Sequence, residues 1–174
     1  MLIKNTEGNL ILIKQATVKP IRGIYKNKNH IMEVIHILLV EDNDGDILLT
    51  KEALEYAKIH IKLSVAKDGN EAIEFVNKQG KHTEAETPDL LLLDINLPKK
   101  NGHEVLQYIK GNELLKHIPI IMLTTSSSER DINSFYKNYA NCYITKPVEI
   151  DEFLSVIATI ENFWISVVKL PTKI

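Results

Sequence analysis

Residues 34 to 165 predict a doubly wound α/β fold, a five-stranded parallel sheet with helices on both faces. Three observations carry this reading. Five short apolar runs of strand length recur along the chain. The longer segments between them place apolar residues at helical spacing. The central run, Leu90 to Leu93, has no polar alternation, as suits a strand covered on both faces. Strands alternating with helices then imply parallel pairing through right-handed crossovers.

The elements follow in chain order. "VIHILLV" (34 to 40) is the first strand, and Ile47, Leu54 and Ala57 share one face of the helix after it. "IKLSVA" (61 to 66) is the second, followed by a helix in which Ala72, Ile73 and Val76 cluster. "NKQGKHTEAETPD" reads as a solvated loop leading into "DLLLLD" (89 to 94). The third helix buries Val105, Leu106 and Ile109 and takes Asn101 as its cap. "IPIIML" (118 to 123) and "CYIT" (142 to 145) complete the sheet.

In the last helix Phe153, Ile157, Ile160 and Trp164 form a stripe for packing on the sheet, while Leu154, Val156, Phe163, Ile165, Val167 and Val168 add a second apolar face. One small sheet does not cover both. Surplus apolar surface of this kind marks a protein interface, so Phe163, Trp164 and Val167 are expected on a dimer or partner face. Residues 166 to 174 are read as an extension of this helix and a tail.

Composition narrows the function classes. The 174 residues carry a net charge of −2 and one cysteine, Cys142, which cannot form an internal disulfide and reads as a small buried hydrophobe. A reducing cytoplasm fits this usage. No apolar run approaches the roughly 20 residues needed to cross a bilayer. Residues 1 to 30 hold six basic residues against one acidic, and the remainder 15 against 22. Residues 1 to 33 show no sustained period and are read as a poorly structured N-terminal extension, or as sequence upstream of a true start at Met32. A basic arm that contacts an acidic partner is the alternative. Without a helix-turn-helix pattern, a basic face or interleaved aromatic and basic residues, neither nucleic-acid binding nor a DNA-binding output domain is expected. The histidines show no metal-ligand spacing.

In doubly wound folds chemistry collects at the carboxyl ends of the strands. Glu41 and Asp42 follow the first strand, Asp94 ends the third, Thr124 ends the fourth, and Lys146 with Pro147 follows the fifth. Crowded carboxylates repel one another unless a cation compensates, and hard oxygen ligands with room for water suit Mg²⁺. Asp42 and Asp94 are candidate direct ligands, Glu41 a ligand through water, and the backbone carbonyl of Asn96 a further donor. With that metal and Lys146 drawing off charge, an Asp94 oxygen can attack a phosphoryl group, and Thr124 can hydrogen-bond a phosphoryl oxygen.

"ILLVEDN", "LLLLDINLPKKNG", "IIMLTTS" and "CYITKP", in this order and spacing, resemble the receiver domains of two-component response regulators over about residues 34 to 165. The resemblance implies the flavodoxin-like receiver fold and a signalling role rather than an enzyme's. Asp94 would accept a phosphoryl group from a histidine kinase, with a histidine phosphotransfer protein as a possible further partner. Glu41 and Asp42 would complete the Mg²⁺ site and Lys146 would pair with the phosphate. Thr124 and Tyr143 would be the switch pair, and the Lys146–Pro147 bond would be cis. Asn96 and Ser126 would tune the lifetime of the phosphorylated state. "EDNDGDILLTKEAL" and "FWISVVKLP" resemble the small stand-alone regulators paired with phytochrome-type kinases, which are symmetric dimers. One departure is Asp44, where that subgroup generally has Pro; it adds a carboxylate near the metal edge. The alternative reading, a phosphotransfer enzyme of the haloacid dehalogenase type, needs an acid two residues beyond Asp94, where this chain has Asn96.

Overall fold

A computed structural model describes residues 2–4, 10–12, 34–55, 60–125 and 128–171. The expected start at Met32, the core position Ala57 and the lifetime residue Ser126 lie outside these residues. The chain forms two units, Met1–Ile31 and Met32–Ile174. In the first, the strands Leu2–Lys4 and Leu10–Leu12 pair antiparallel, with Leu2 opposite Leu12. Apolar runs this short leave too little period to be read from sequence.

The second unit is built on five strands: β1 (Ile35–Val40), β2 (Ile61–Ala66), β3 (Leu90–Asp94), β4 (Ile120–Thr124) and β5 (Cys142–Thr145). All pair in parallel, in the order β2-β1-β3-β4-β5. The helices between and after them are α1 (Asp44–Glu55), α2 (Gly69–Val76), α3 (Gly102–Gly111), α4 (Glu129–Lys137) and α5 (Ile150–Ile160). The sequence places β4 from residue 118, but it begins at Ile120. Pro119 has no N–H to give a ladder, and its carbonyl only accepts from Leu91 N at 3.0 Å.

The core has two layers because the strands alternate. Leu38, Val40, Leu91, Leu93, Ile120 and Met122 face α2, α3 and α4, where Phe75, Leu106 and Phe135 fill the layer. Ile37, Leu39, Leu90, Leu92, Ile121 and Leu123 face α1 and α5, against Ile47, Leu54, Phe153, Ile157 and Ile160. The four-leucine run thus gives two leucines to each layer, each worth about 1.5–3 kcal/mol of burial. Val105, Leu106 and Ile109 are fully buried as expected, and Asn101 caps α3 in a capping box with Glu104. In α2, Phe75 joins Ala72 and Val76 in the core, leaving Ile73 half-buried.

The loop before β3 is largely exposed, as expected, and holds a 3₁₀ turn, Gly80–His82, with Lys81 Nζ 2.6 Å from Glu71 Oε1 on α2. After α5 the helix widens into a π-helical segment, Glu161–Val167, closed by Val168 N donating to Phe163 O at 2.9 Å. Trp164 is half-buried beside the layer under α1 and α5, whereas Phe163 and Val167 are 52% and 72% exposed.

Candidate functional site

The order of the strands reverses between β1 and β3, which are neighbours with Val40 opposite Leu93. The residues that leave these two strands, Glu41, Asp42 and Asp94, therefore share one edge of the sheet. One carboxylate oxygen from each lies within 4.8 Å of the others. Glu41 and Asp94 are buried and Asp42 is exposed, so the group opens to water on one side. Glu41 is fixed by its N–H donating to Ala66 O at 3.0 Å, and its Oε1 accepts from Asn43 N at 3.1 Å.

Lys146 enters from the end of β5, where its N–H donates to Thr124 O at 2.6 Å. Its Nζ lies 2.5 Å from Glu41 Oε2, 3.0 Å from Asp46 Oδ2 and 3.2 Å from Asp94 Oδ2. Burial works against a charged Lys146, but the hydrogen bond to Glu41, the charges of Asp94 and Glu41 and the bond to Asp46 outweigh it and raise its pKa. Burial also raises the Glu41 carboxyl, with the Lys146 hydrogen bond and charge pulling against it. One ammonium thus serves three carboxylates, with a fourth, Asp42, at the mouth. Three hard oxygen donors, two of them fixed and one open to water, fit a divalent cation of the oxygen-loving kind.

The remaining positions surround this centre. Thr124 is fully buried at the end of β4. Tyr143 is half-buried opposite Met122, with its ring centroid 5.6 Å from that of Phe135 in α4. Asn96 is exposed in the loop after Asp94. That loop is clamped: Gly102 N donates to Ile95 O at 2.9 Å, and Lys99 Nζ to Asp68 Oδ2 at 2.7 Å. Asp94 Oδ1 accepts from Ile95 N at 2.7 Å.

One expectation is corrected. The Lys146–Pro147 peptide is trans, since no cis bond occurs among the described residues. Lys146 reaches the carboxylates with its backbone held on Thr124, so the trans isomer, favoured by about 0.5–1 kcal/mol, suffices. Asp44, the added carboxylate expected near the metal edge, opens α1 two residues after Asp42, with its side chain 79% exposed and paired with Lys67 Nζ at 2.5 Å.

One residue at the site went unread. Asp46 sits in the first turn of α1, where an acid ordinarily reads as a partner of the helix dipole. Asp42 lies before α1, so no helical spacing ties the two, and only the crowding of acids in "EDNDGD" marks the position.

The response regulator receiver domain family matches residues 37–158. This chain belongs to that family. The receiver is similar to the response regulator Rcp1 of Synechocystis sp. (strain ATCC 27184 / PCC 6803 / Kazusa), at 43% identity over 135 residues, 78% of this chain and 92% of Rcp1. Among solved structures, the Mn²⁺-bound form of Rcp1 superposes with a TM-score of 0.77 at 42% identity, covering 79% of this chain and 99% of the other. The phosphorylated cyanobacterial phytochrome response regulator RcpA gives 0.78 at 42% identity, covering 80% and 100%. The haloacid dehalogenase alternative therefore falls, and the chain is a signalling receiver. Among the described residues no helix is long and apolar enough to cross a membrane.

Proposed function

We propose that this receiver takes a phosphoryl group from a histidine kinase onto Asp94 in a Mg²⁺-dependent reaction, and signals through a protein-binding face that phosphorylation switches. The observation that carries this reading is the buried Lys146 ammonium 3.2 Å from Asp94 and 2.5 Å from Glu41, beside an acidic trio within 4.8 Å. Asp42, Asp94, Glu41 and the backbone carbonyl of Asn96 would hold the metal. Bound there, it supplies charge that offsets the carboxylates and the incoming phosphoryl oxygens.

The chain's own residues do the rest. An Asp94 oxygen attacks phosphorus as the P–N bond of a phosphoimidazole breaks; the electron pair returns to nitrogen, which takes up a proton. Lys146 then pairs with a phosphoryl oxygen and Thr124 donates its hydroxyl to another. Movement of Thr124 toward the phosphate leaves space that Tyr143, on the same side of the sheet, can occupy, which remodels the surface of α4, β5 and α5. Asn96 and Ser126 would tune the lifetime of the phosphorylated state.

A kinase of the phytochrome type is the favoured donor, supported by the likeness to Rcp1 and RcpA. A histidine phosphotransfer protein is a further partner of the same chemistry. Phe163, Trp164 and Val167 supply the dimer face, supported by the exposure of two of them. The cytoplasm is the compartment this partnership requires. Phosphotransfer profiling from purified histidine kinases tests the reading: label is expected on the wild-type chain and absent from Asp94→Asn. Label retained on that variant would overturn the assignment.

A further inference from the structure

We propose that Asp46 is a positioning residue for Lys146, receiving its ammonium when a divalent cation claims Glu41 and Asp94. The inference rests on the reading of Glu41, Asp42 and Asp94 as the cation site.

An ammonium has three N–H donors, and here three carboxylates surround it, Glu41 at 2.5 Å, Asp46 at 3.0 Å and Asp94 at 3.2 Å. Two of the three belong to the trio able to hold a cation; Asp46 does not. A cation bound by Glu41 and Asp94 would satisfy those oxygens and repel the ammonium at the same time. The Lys146 side chain is only 6% exposed, so retreat into water is closed to it. Asp46 offers an anionic acceptor already within reach, 3.0 Å from Nζ and outside the trio.

The surroundings of Asp46 suit the role. Its side chain is 32% exposed, far more open to water than Glu41 or Asp94. Its backbone is anchored: Asp46 N donates to Asn43 Oδ1 at 3.1 Å, and Asn43 N donates to Glu41 Oε1 at 3.1 Å. The same short loop thus fixes both the cation-side and the solvent-side acceptor of one lysine. Asp44, two residues away, supplies a natural control, since its charge is held by Lys67 and does not touch Lys146. Asp46 thereby lowers the cost of displacing Lys146 from Glu41 and keeps the ammonium beside Asp94 for the phosphoryl group.

The test is calorimetric titration of the full chain with Mg²⁺, which reads affinity without any phosphotransfer. Asp46→Asn is expected to weaken binding by about fivefold, the low end of measured couplings between sites, with Asp46→Glu restoring much of it. Asp44→Asn should change affinity less than Asp46→Asn. In a Lys146→Met background, where the ammonium is gone, Asp46→Asn should lose most of its effect. The proposal is overturned if Asp46→Asn binds Mg²⁺ as the wild type does, or if its effect persists undiminished in Lys146→Met, which would mark a plain through-space charge. A wild-type chain that takes up no Mg²⁺ would overturn the cation-site reading itself and this inference with it.

Discussion

Gly102 lies against the backbone of Asp94: a Cβ at Gly102 would stand 2.3 Å from the Asp94 carbonyl oxygen and 2.8 Å from Ile95 Cα. Both neighbours are main-chain atoms, so neither can turn aside as a side chain would. Gly102→Ala should push the loop that carries Asp94 away from α3. The expected cost is about 2 kcal/mol, a fall in Tm of about 4–8 °C, together with slower phosphorylation of Asp94. Thermal melts and phosphotransfer rates check it; a wild-type melt would mean the contact relaxes freely.

This contact also shows where sequence reading stops. The strands were legible because a parallel sheet buried on both faces leaves near-continuous apolar runs, and the acids at their ends mark the edge where they meet. Asn101 was legible as a cap because capping is local. The approach of Gly102 to Asp94, the bond of Lys99 to Asp68 and the place of Asp46 beside Lys146 depend on how loops pack, and no local periodicity encodes that. The π-helical segment after α5 is hidden for the same reason: its apolar spacing suits an ordinary helix.

Asp68 joins two of these loops, and its charge should be visible in acid. It caps α2 by accepting from Glu71 N at 2.8 Å and holds Lys99 at 2.7 Å. Burial works to raise its pKa, but the Lys99 hydrogen bond, the Glu71 N–H and the Lys99 charge outweigh it, so the folded value lies below 3.8. Between these two values the unfolded chain binds more protons, so the stabilisation is complete above the unfolded value and is lost as pH falls through the folded one. Asp68→Asn should keep the cap and flatten this acid limb, whereas Asp68→Ala should also lose about 1 kcal/mol at neutral pH. Denaturant titrations at neutral pH and below pH 4 separate the two.

Tyr143 packs its ring against α4. Its ring packs 5.6 Å from Phe135, itself stacked on His103 at 3.8 Å, so the aromatic contacts run from β5 through α4 to the start of α3. Tyr143→Ala should cost about 1–2 kcal/mol, less than a fully buried aromatic because the residue is half exposed. Phosphorylation of Asp94 should survive, since the Tyr143 ring packs against Phe135 of α4. Binding of a phosphorylation-dependent partner should weaken. Equal affinity of wild type and variant, measured on phosphorylated protein, would remove Tyr143 from the switch.

The face after α5 separates folding from assembly. Phe163 and Val167 are more than half exposed, so charging both as Phe163→Asp with Val167→Asp should alter folding stability by no more than about 0.5 kcal/mol each. Trp164 instead packs beside the layer formed with α1 and α5, and Trp164→Ala should cost about 2 kcal/mol. If two copies meet through this face, the double aspartate variant places like charges opposite one another and exposes no new core, so it should sediment as a folded monomer while the wild type sediments as a dimer. Trp164→Ala should lower Tm and dimer affinity together. A wild-type chain that stays monomeric at high concentration would leave the exposed Phe163 and Val167 to a different protein partner and end the dimer assignment.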